Sequence, residues 1–235
     1  MTHNAVLALR QIRLASATKP FRARGCRVVR CESCLLPLPL CLCDSITPSQ
    51  ALSRFCLIMF DSEPLKPSNT GRLIADILPD TQAFLWSRTE PDQRLLAAIS
   101  VSHRQPYVVF PAQHVPAGRR VLNHIDPLAK PPLFVMLDGT WSEAGKMFRK
   151  SPYLDKFPIL SLDLPTLSAY RLRESHGDGF HCTAEVAAAL LYQAGDTPAA
   201  DNLNGYFDLF RNRYLAGKSH HNSVQIPRVI TTPLS

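Results

Sequence analysis

The sequence predicts an α/β domain built on a mainly parallel sheet, with a small cysteine-rich element in front of it. Three observations carry that expectation. After Pro48, apolar runs of strand length alternate with stretches of helical spacing. Four of the seven cysteines crowd into residues 31–43. The chain has 235 residues, 46% of them apolar and 19% charged. That is enough for one α/β domain of roughly 180 residues plus a smaller element, and it excludes a disordered chain. The boundary is expected at 48/49, separating residues 1–48 from an α/β domain over 49–235.

The first thirty residues are basic and acid-free: Arg10, Arg13, Lys19, Arg22, Arg24, Arg27 and Arg30. Removing those 7 from the 26 basic residues leaves 19, matching the 19 acidic ones, so the whole net charge of +7 sits in this arm. A cationic arm beside a neutral body suits a polyanion, because neutralised phosphates release counterions. Arg22, Arg24, Arg27 and Arg30 are the candidate contacts. A solvated tail and an Arg-rich transit peptide are the alternatives. The cysteine cluster that follows at once reads as mature structure. Residues 5–9 are too short for a signal peptide, and no run approaches the ~20 apolar residues of a membrane span. No membrane is expected, and the protein reads as cytoplasmic.

Cys31-x2-Cys34-x6-Cys41-x-Cys43 places four thiolates within thirteen residues, a set that can close a tetrahedral zinc site. Pro37 and Pro39 stiffen the turn between the pairs. Buried thiols or a redox CxxC are the alternatives, and Cys26 could replace one ligand. Cys56 and Cys182 read as small core residues.

In the second segment, Phe55–Phe60 reads as a buried strand, and Asn69–Leu78 as a helix capped by Ser68. Ala83–Trp86 and Tyr107–Phe110 read as short strands flanking a helix over Asp92–Ile99. Leu133–Leu137 is another buried strand, running into Asp138-Gly139-Thr140-Trp141. Thr140 and Glu143 fit a capping box, opening a helix to about Lys150. Ile159–Leu162 is the next strand. Thr183–Gln193 reads as a helix capped by Thr183, and a last helix spans about Asn202 to Ala216.

In parallel sheets ligands bind beyond the C-terminal strand ends, where Asp138 falls. There a carboxylate beside free helix N–H groups can act as a base or orient an amine; the alternative is a turn brace. Arg171 and Arg173 alternate along one side of an extended run and could clamp a carboxylate or phosphate. The segment 66–72, with Asn69, Thr70 and Arg72, is a polar turn whose backbone could meet a ligand.

These residues resemble the DTW-domain family, named for an Asp-x-Thr-Trp motif that here is Asp138-Gly139-Thr140-Trp141. The CxxC…CLC cluster, Glu63…SNTGRL, Phe110-Pro111, the YRLR run of 170–173 and the Thr-Ala-Glu-Val helix start are similar too. The likeness covers essentially the whole chain and is strongest to the family's bacterial tRNA-uridine aminocarboxypropyltransferases. It implies a SPOUT-like fold with a C-terminal trefoil knot around S-adenosylmethionine as co-substrate, and tRNA as the partner. Phe110, Pro111, Leu137, Asp138, Gly139, Leu162, Thr183 and Glu185 would then contact the cofactor. Asp138, Thr140, Trp141, Arg171 and Arg173 would serve catalysis, and Asn69, Thr70 and Arg72 would join the arm in binding RNA. Cys31, Cys34, Cys41 and Cys43 would hold Zn2+. Gly145 departs from the family's usual basic residue, so no RNA contact is assigned to that turn. A SPOUT-type RNA methyltransferase and a non-catalytic zinc-knuckle RNA-binding protein are the competing readings. Monomer and homodimer remain open.

Overall fold

The computed structural model describes residues 4–18, 28–126, 130–162 and 182–218. Its frame is a six-stranded, all-parallel sheet in the order β2-β1-β5-β3-β6-β4. The strands are β1 (Arg54–Met59), β2 (Gln82–Leu85), β3 (Gln105–Val109), β4 (Val121–Leu122), β5 (Pro132–Asp138) and β6 (Ile159–Leu160). The helices are α1 (Ala5–Ala15), α2 (Gly71–Ile77), α3 (Gln93–Ile99), α4 (Trp141–Arg149), α5 (Thr183–Gln193) and α6 (Thr197–Lys218).

Period-two alternation divides each central strand between two cores. From β1, Phe55, Leu57 and Met59 join Phe134 and Met136 of β5 on one face, under residues of α1, α2, α5 and α6. Cys56 and Ile58 join Leu133 and Val135 on the other, under Leu95 of α3 and Ala144, Met147 and Phe148 of α4. Strands buried on both sides are written as continuous apolar runs, which is why FCLIMF and LFVML stand out in the sequence.

β5 is inserted between β1 and β3, the two strands from which the chain builds outward to opposite sheet edges. Such a reversal opens a crevice beyond the C-terminal strand ends. Asp138, the last residue of β5, is held there opposite Met59.

The cysteine-rich element is not insulated from the rest. Cys34, Leu36 and Leu42 belong to the same buried cluster as the first face of the sheet. Leu40 and Pro37 lie against Gly217 of α6, where a Cβ would come within 3.2 Å of each. Residues from both sides of the 48/49 boundary therefore share one core.

Several elements differ from the sequence reading. α1 was not foreseen: Asn4 caps it, accepting from the N–H groups of Val6 and Leu7. Arg10 and Arg13 are consequently tied to the body rather than to a free arm. Arg13 makes a two-pronged bond to Asp61 at 2.6 and 2.8 Å, and Arg10 donates to the Leu65 carbonyl. The cap of α2 is Thr70, not Ser68, because the Asn69 side chain accepts the Arg72 N–H and starts the helix there. Cys182 rather than Thr183 caps α5. β4, only two residues long, is too short to leave a pattern in the sequence, and α6 begins five residues earlier than expected. The expected knot depends in part on residues 163–181, outside the described residues. Among the described residues, no helix is long and apolar enough to cross a membrane.

Candidate functional site

The site centres on Asp138, 3% exposed. Its Oδ2 accepts from Asn69 Nδ2 at 2.7 Å and its Oδ1 from Thr183 Oγ1 at 2.6 Å. The start of α2, the end of β5 and the start of α5 thus meet on one carboxylate. Asn69 Nδ2 also reaches Glu63 Oε2 at 3.3 Å, so one amide donates to two buried carboxylates. Glu63 lies in a short helical turn over Glu63–Leu65 and takes Lys66 Nζ on its other oxygen at 2.7 Å. Burying a carboxylate costs several kcal/mol unless it is paired and hydrogen-bonded. The Lys66 and Asn69 donors meet that condition for Glu63.

Gly71 is required by this arrangement. A Cβ at that position would stand 2.6 Å from Asp138 Oδ2, closer than real Cβ contacts come. The glycine lets the α2 backbone approach the carboxylate.

After Asp138 the chain turns through Gly139 into α4. Thr140 and Glu143 form the expected capping box: the Thr140 N–H and hydroxyl both reach Glu143 Oε2 at 2.7 Å, and the Glu143 N–H reaches Thr140 Oγ1. This fixes the helix N-terminus, with its partial positive charge, beside Asp138. Trp141, 41% exposed, lies parallel to Phe110 with centroids 6.0 Å apart, and His114 meets its ring at 5.0 Å.

The expected cofactor contacts converge on this end of the sheet. Phe110 and Pro111 follow β3, Leu137, Asp138 and Gly139 close β5, and Leu162 follows β6. Thr183 opens α5, and Glu185 caps that helix by accepting the Cys182 N–H at 2.9 Å. Arg171 and Arg173 lie outside the described residues.

The RNA contacts expected in 66–72 require correction. Asn69, Thr70 and Arg72 are 1%, 3% and 1% exposed, so none presents a donor to a phosphate. Asn69 orients Asp138, and Thr70 Oγ1 accepts the Ala184 N–H. Arg72 pairs with Asp76 at 2.9 Å and lies 5.4 Å over the Phe210 ring. Asp76 is also held by Asn4 and by the Tyr206 hydroxyl. Burial, followed by the Asp76 charge, raises the Tyr206 hydroxyl well above its ordinary pKa. Arg72 is therefore the centre of a buried polar network. Arg30 donates to the Leu35 carbonyl inside the cysteine-rich element. Arg22, Arg24 and Arg27 lie outside the described residues.

The four cysteines expected to bind metal come together. The Sγ atoms of Cys31, Cys34, Cys41 and Cys43 all lie within 4.8 Å of one another. Cys31 and Cys43 are 3.6 Å apart and Cys34 and Cys41 3.7 Å. Ligands at ~2.3 Å around a tetrahedral zinc stand roughly 3.8 Å apart, so the set fits that ion. Burial works to raise the Cys31 thiol, but the Cys34 and Ser33 N–H groups and the neighbouring thiols outweigh it and bring it down to about 7. Burial pushes Cys34 and Cys43 up, and for Cys43 the neighbouring thiols add to the rise. Leu35, between the pairs, adopts φ of 59°, a left-handed conformation costing about 1–2 kcal/mol in a non-glycine residue. Such strain persists where surrounding constraints fix the loop. Cys56 is a fully buried core thiol, pushed up to about 12.

Sequence reasoning did not assign Glu63, Lys66, Gly71 or His114 to the site. Glu63 and Gly71 carried a signal, both lying in the segment that resembles the family. Their roles depend on a fold that brings that segment against β5.

The site is thus a carboxylate-centred crevice at the strand-order reversal of a parallel α/β sheet, in a chain that also carries a four-cysteine cluster. The chain matches the DTW domain over residues 28–215 and belongs to the DTW domain family. It is 24% identical over 168 residues to tRNA-uridine aminocarboxypropyltransferase 2 of Drosophila melanogaster, covering 69% of this chain. The chain spans 65% of that relative's length. No solved structure matches.

Proposed function

We propose that the chain transfers the 3-amino-3-carboxypropyl group of S-adenosylmethionine to N3 of a uridine in the variable loop of tRNA, in the cytoplasm, releasing 5′-methylthioadenosine. The observation that carries this reading is Asp138, buried at the end of the central strand and aligned by Asn69 and Thr183. Membership of the DTW family and likeness to an enzyme named for this transfer supply the reaction class.

In the reaction, uridine N3 loses its proton and attacks the γ-carbon of the methionine moiety. The C–S bond breaks, its electron pair stays on sulfur, and methylthioadenosine departs. The sulfonium is already a good leaving group, so the protein supplies position and a proton acceptor. Asp138 receives the N3 proton or holds the cofactor's cationic amino group; its two donors fix where its oxygens point. Trp141, with Phe110 and His114, lines the rim where a flat ring can stack. Arg171 or Arg173 clamps the cofactor carboxylate or stabilises the developing uridine anion. The SPOUT-like knot around the cofactor belongs to this same reading. The four cysteines hold a structural zinc ion, which supplies folding free energy to the N-terminal element.

The test is product identity. Purified protein is incubated with S-adenosylmethionine and tRNA lacking the modification, and the digested nucleosides are weighed. A uridine heavier by one aminocarboxypropyl group, with methylthioadenosine released, supports the proposal. A methylated nucleoside with S-adenosylhomocysteine would make the chain a methyltransferase. Unmodified RNA that nevertheless binds tightly would leave a zinc-knuckle binding protein.

A further inference from the structure

We propose that the exposed face of α4, formed by Lys146, Arg149 and Lys150 with the Phe60–Trp86 ring pair beside it, is the surface on which the RNA strand next to the target nucleotide lies. The inference rests on the reading of the chain as an RNA-modifying enzyme and goes further by placing the nucleic acid on the molecule.

Spacing of three and four residues puts the three cations on one side of the helix. All three are exposed, and none has a carboxylate partner among the described residues. Two other basic residues at this end of the sheet are neutralised, Lys66 by Glu63 and Arg13 by Asp61, whereas Arg88, exposed just beyond Trp86, has no carboxylate partner among the described residues and adds to the same positive rim. Arg149 lies back along the helix, its Nη1 3.2 Å from where a Cβ of Gly145 would stand. Gly145 therefore leaves room for a guanidinium that comes from one turn further on.

The second observation is aromatic. Phe60 and Trp86 follow β1 and β2 and lie nearly parallel, with centroids 6.0 Å apart and planes 20° apart. Trp86 is fixed by a 2.9 Å bond to Ser151 Oγ, and Lys146 Nζ sits 5.8 and 5.7 Å from the two ring centroids. Cations interleaved with half-buried rings suit a nucleic-acid strand, whose phosphates meet the charges and whose bases stack. An acidic protein surface would use the charges but leave the rings without a purpose.

Position supplies the third argument. α4 continues directly from Asp138-Gly139-Thr140, so its cations lie about 9–15 Å beyond Thr140 along the axis at 1.5 Å per residue. That is the reach of a few stacked nucleotides at about 3.4 Å each. A strand on this face delivers its neighbouring nucleotide to the rim where Asp138 and Trp141 lie.

Cations late in a helix also complement its dipole, so the test needs a readout that a structural role would not move. Dissociation constants for unmodified tRNA are measured from low to moderate salt for the full chain and for a triple variant, Lys146→Gln, Arg149→Gln and Lys150→Gln. Lys130→Gln, just ahead of β5 at the opposite end of the sheet, is the control, and thermal midpoints verify folding. Losing three phosphate contacts should reduce the slope of log K against log salt by about 2 and weaken binding about tenfold at 0.1 M salt. The control should keep the full slope. An unchanged slope in a folded triple variant overturns the placement while leaving the transfer reaction standing. Absence of tRNA binding by the unmodified chain would overturn both. If the triple variant unfolds, the single Lys150→Gln variant should still reduce the slope by about 0.7, and an unchanged slope there is equally fatal.

Discussion

Asn69 donates one amide to Asp138 at 2.7 Å while reaching Glu63 at 3.3 Å, so a single side chain spaces two buried carboxylates. Its carbonyl oxygen meanwhile starts α2 by accepting the Arg72 N–H. The residue that begins the helix is therefore the residue that aims the site.

Replacing Asn69 with Ala should remove this spacing. Two carboxylates, 0% and 3% exposed, would lose their shared donor. Leaving such groups short of a hydrogen bond costs about 1–3 kcal/mol, a fall of roughly 3–10 °C in thermal midpoint for a domain of this size. Transfer should fall more steeply than tRNA affinity. A midpoint within ~1 °C of the parent, with full activity, would contradict the assignment.

Gly71→Ala sets a Cβ against the Asp138 carboxylate, and the carboxylate must move. A displacement near 1 Å at a reacting group costs about a hundredfold in rate. The control is Gly205→Ala in α6, where a Cβ meets nothing within 4 Å. That change should leave activity intact and stabilise the helix by up to ~1 kcal/mol. Equal behaviour of the two variants in initial-rate assays would argue against a close approach at Gly71.

Arg72→Met tests the reassignment of that residue from RNA contact to buried network. Its Nε and Nη2 have no hydrogen-bond partner among the described residues, so an apolar side chain of similar volume should be tolerated if Asp76 is changed with it. Asp76→Ala alone should destabilise by about 3–5 kcal/mol, because it leaves a buried guanidinium without its ion pair. Neither change should alter the salt dependence of tRNA binding. A reduced slope in folded Arg72→Met, Asp76→Leu protein would return Arg72 to the RNA surface.

Metal removal should propagate beyond the N-terminal element. Leu36 and Leu42 share a core with the sheet, and Arg213 of α6 donates to the Cys41 carbonyl. Elemental analysis should find one zinc per chain, and a strong chelator or Cys34→Ser should lower the thermal midpoint by more than ~10 °C. Metal-free protein with an unchanged midpoint would show that the thiols are core residues only.

The parts of the fold legible in sequence are those set by local chemistry. β5 is a continuous apolar run because both its faces are covered, and the α4 capping box is written in Thr140 and Glu143. The four cysteines that could hold a metal ion announce themselves by spacing alone. What was not legible depends on distant partners. The helix of residues 5–15 was hidden by its arginines, although Asn4 is a good cap and Val6 and Leu9 recur at helical spacing. Arg72 reads as a surface cation until it is seen to pair with Asp76, which Asn4 and Tyr206 hold from two other helices. Glu63 becomes part of the site only because β1 and β5 are neighbours, a pairing of residues about eighty positions apart.

Aminocarboxypropyl transfer at the Asp138 crevice, as proposed, stands or falls on that one carboxylate. The most direct measurement is single-turnover transfer to unmodified tRNA by Asp138→Asn protein, with its tRNA affinity and thermal midpoint measured alongside. The substitution keeps the shape, removes the charge, and places an amide against the Asn69 donor. The expected result is a folded, tRNA-binding protein whose transfer rate falls by about a thousandfold, the loss expected when either a base or a charge partner goes. Transfer at the parent rate would contradict it and move the chemistry away from Asp138.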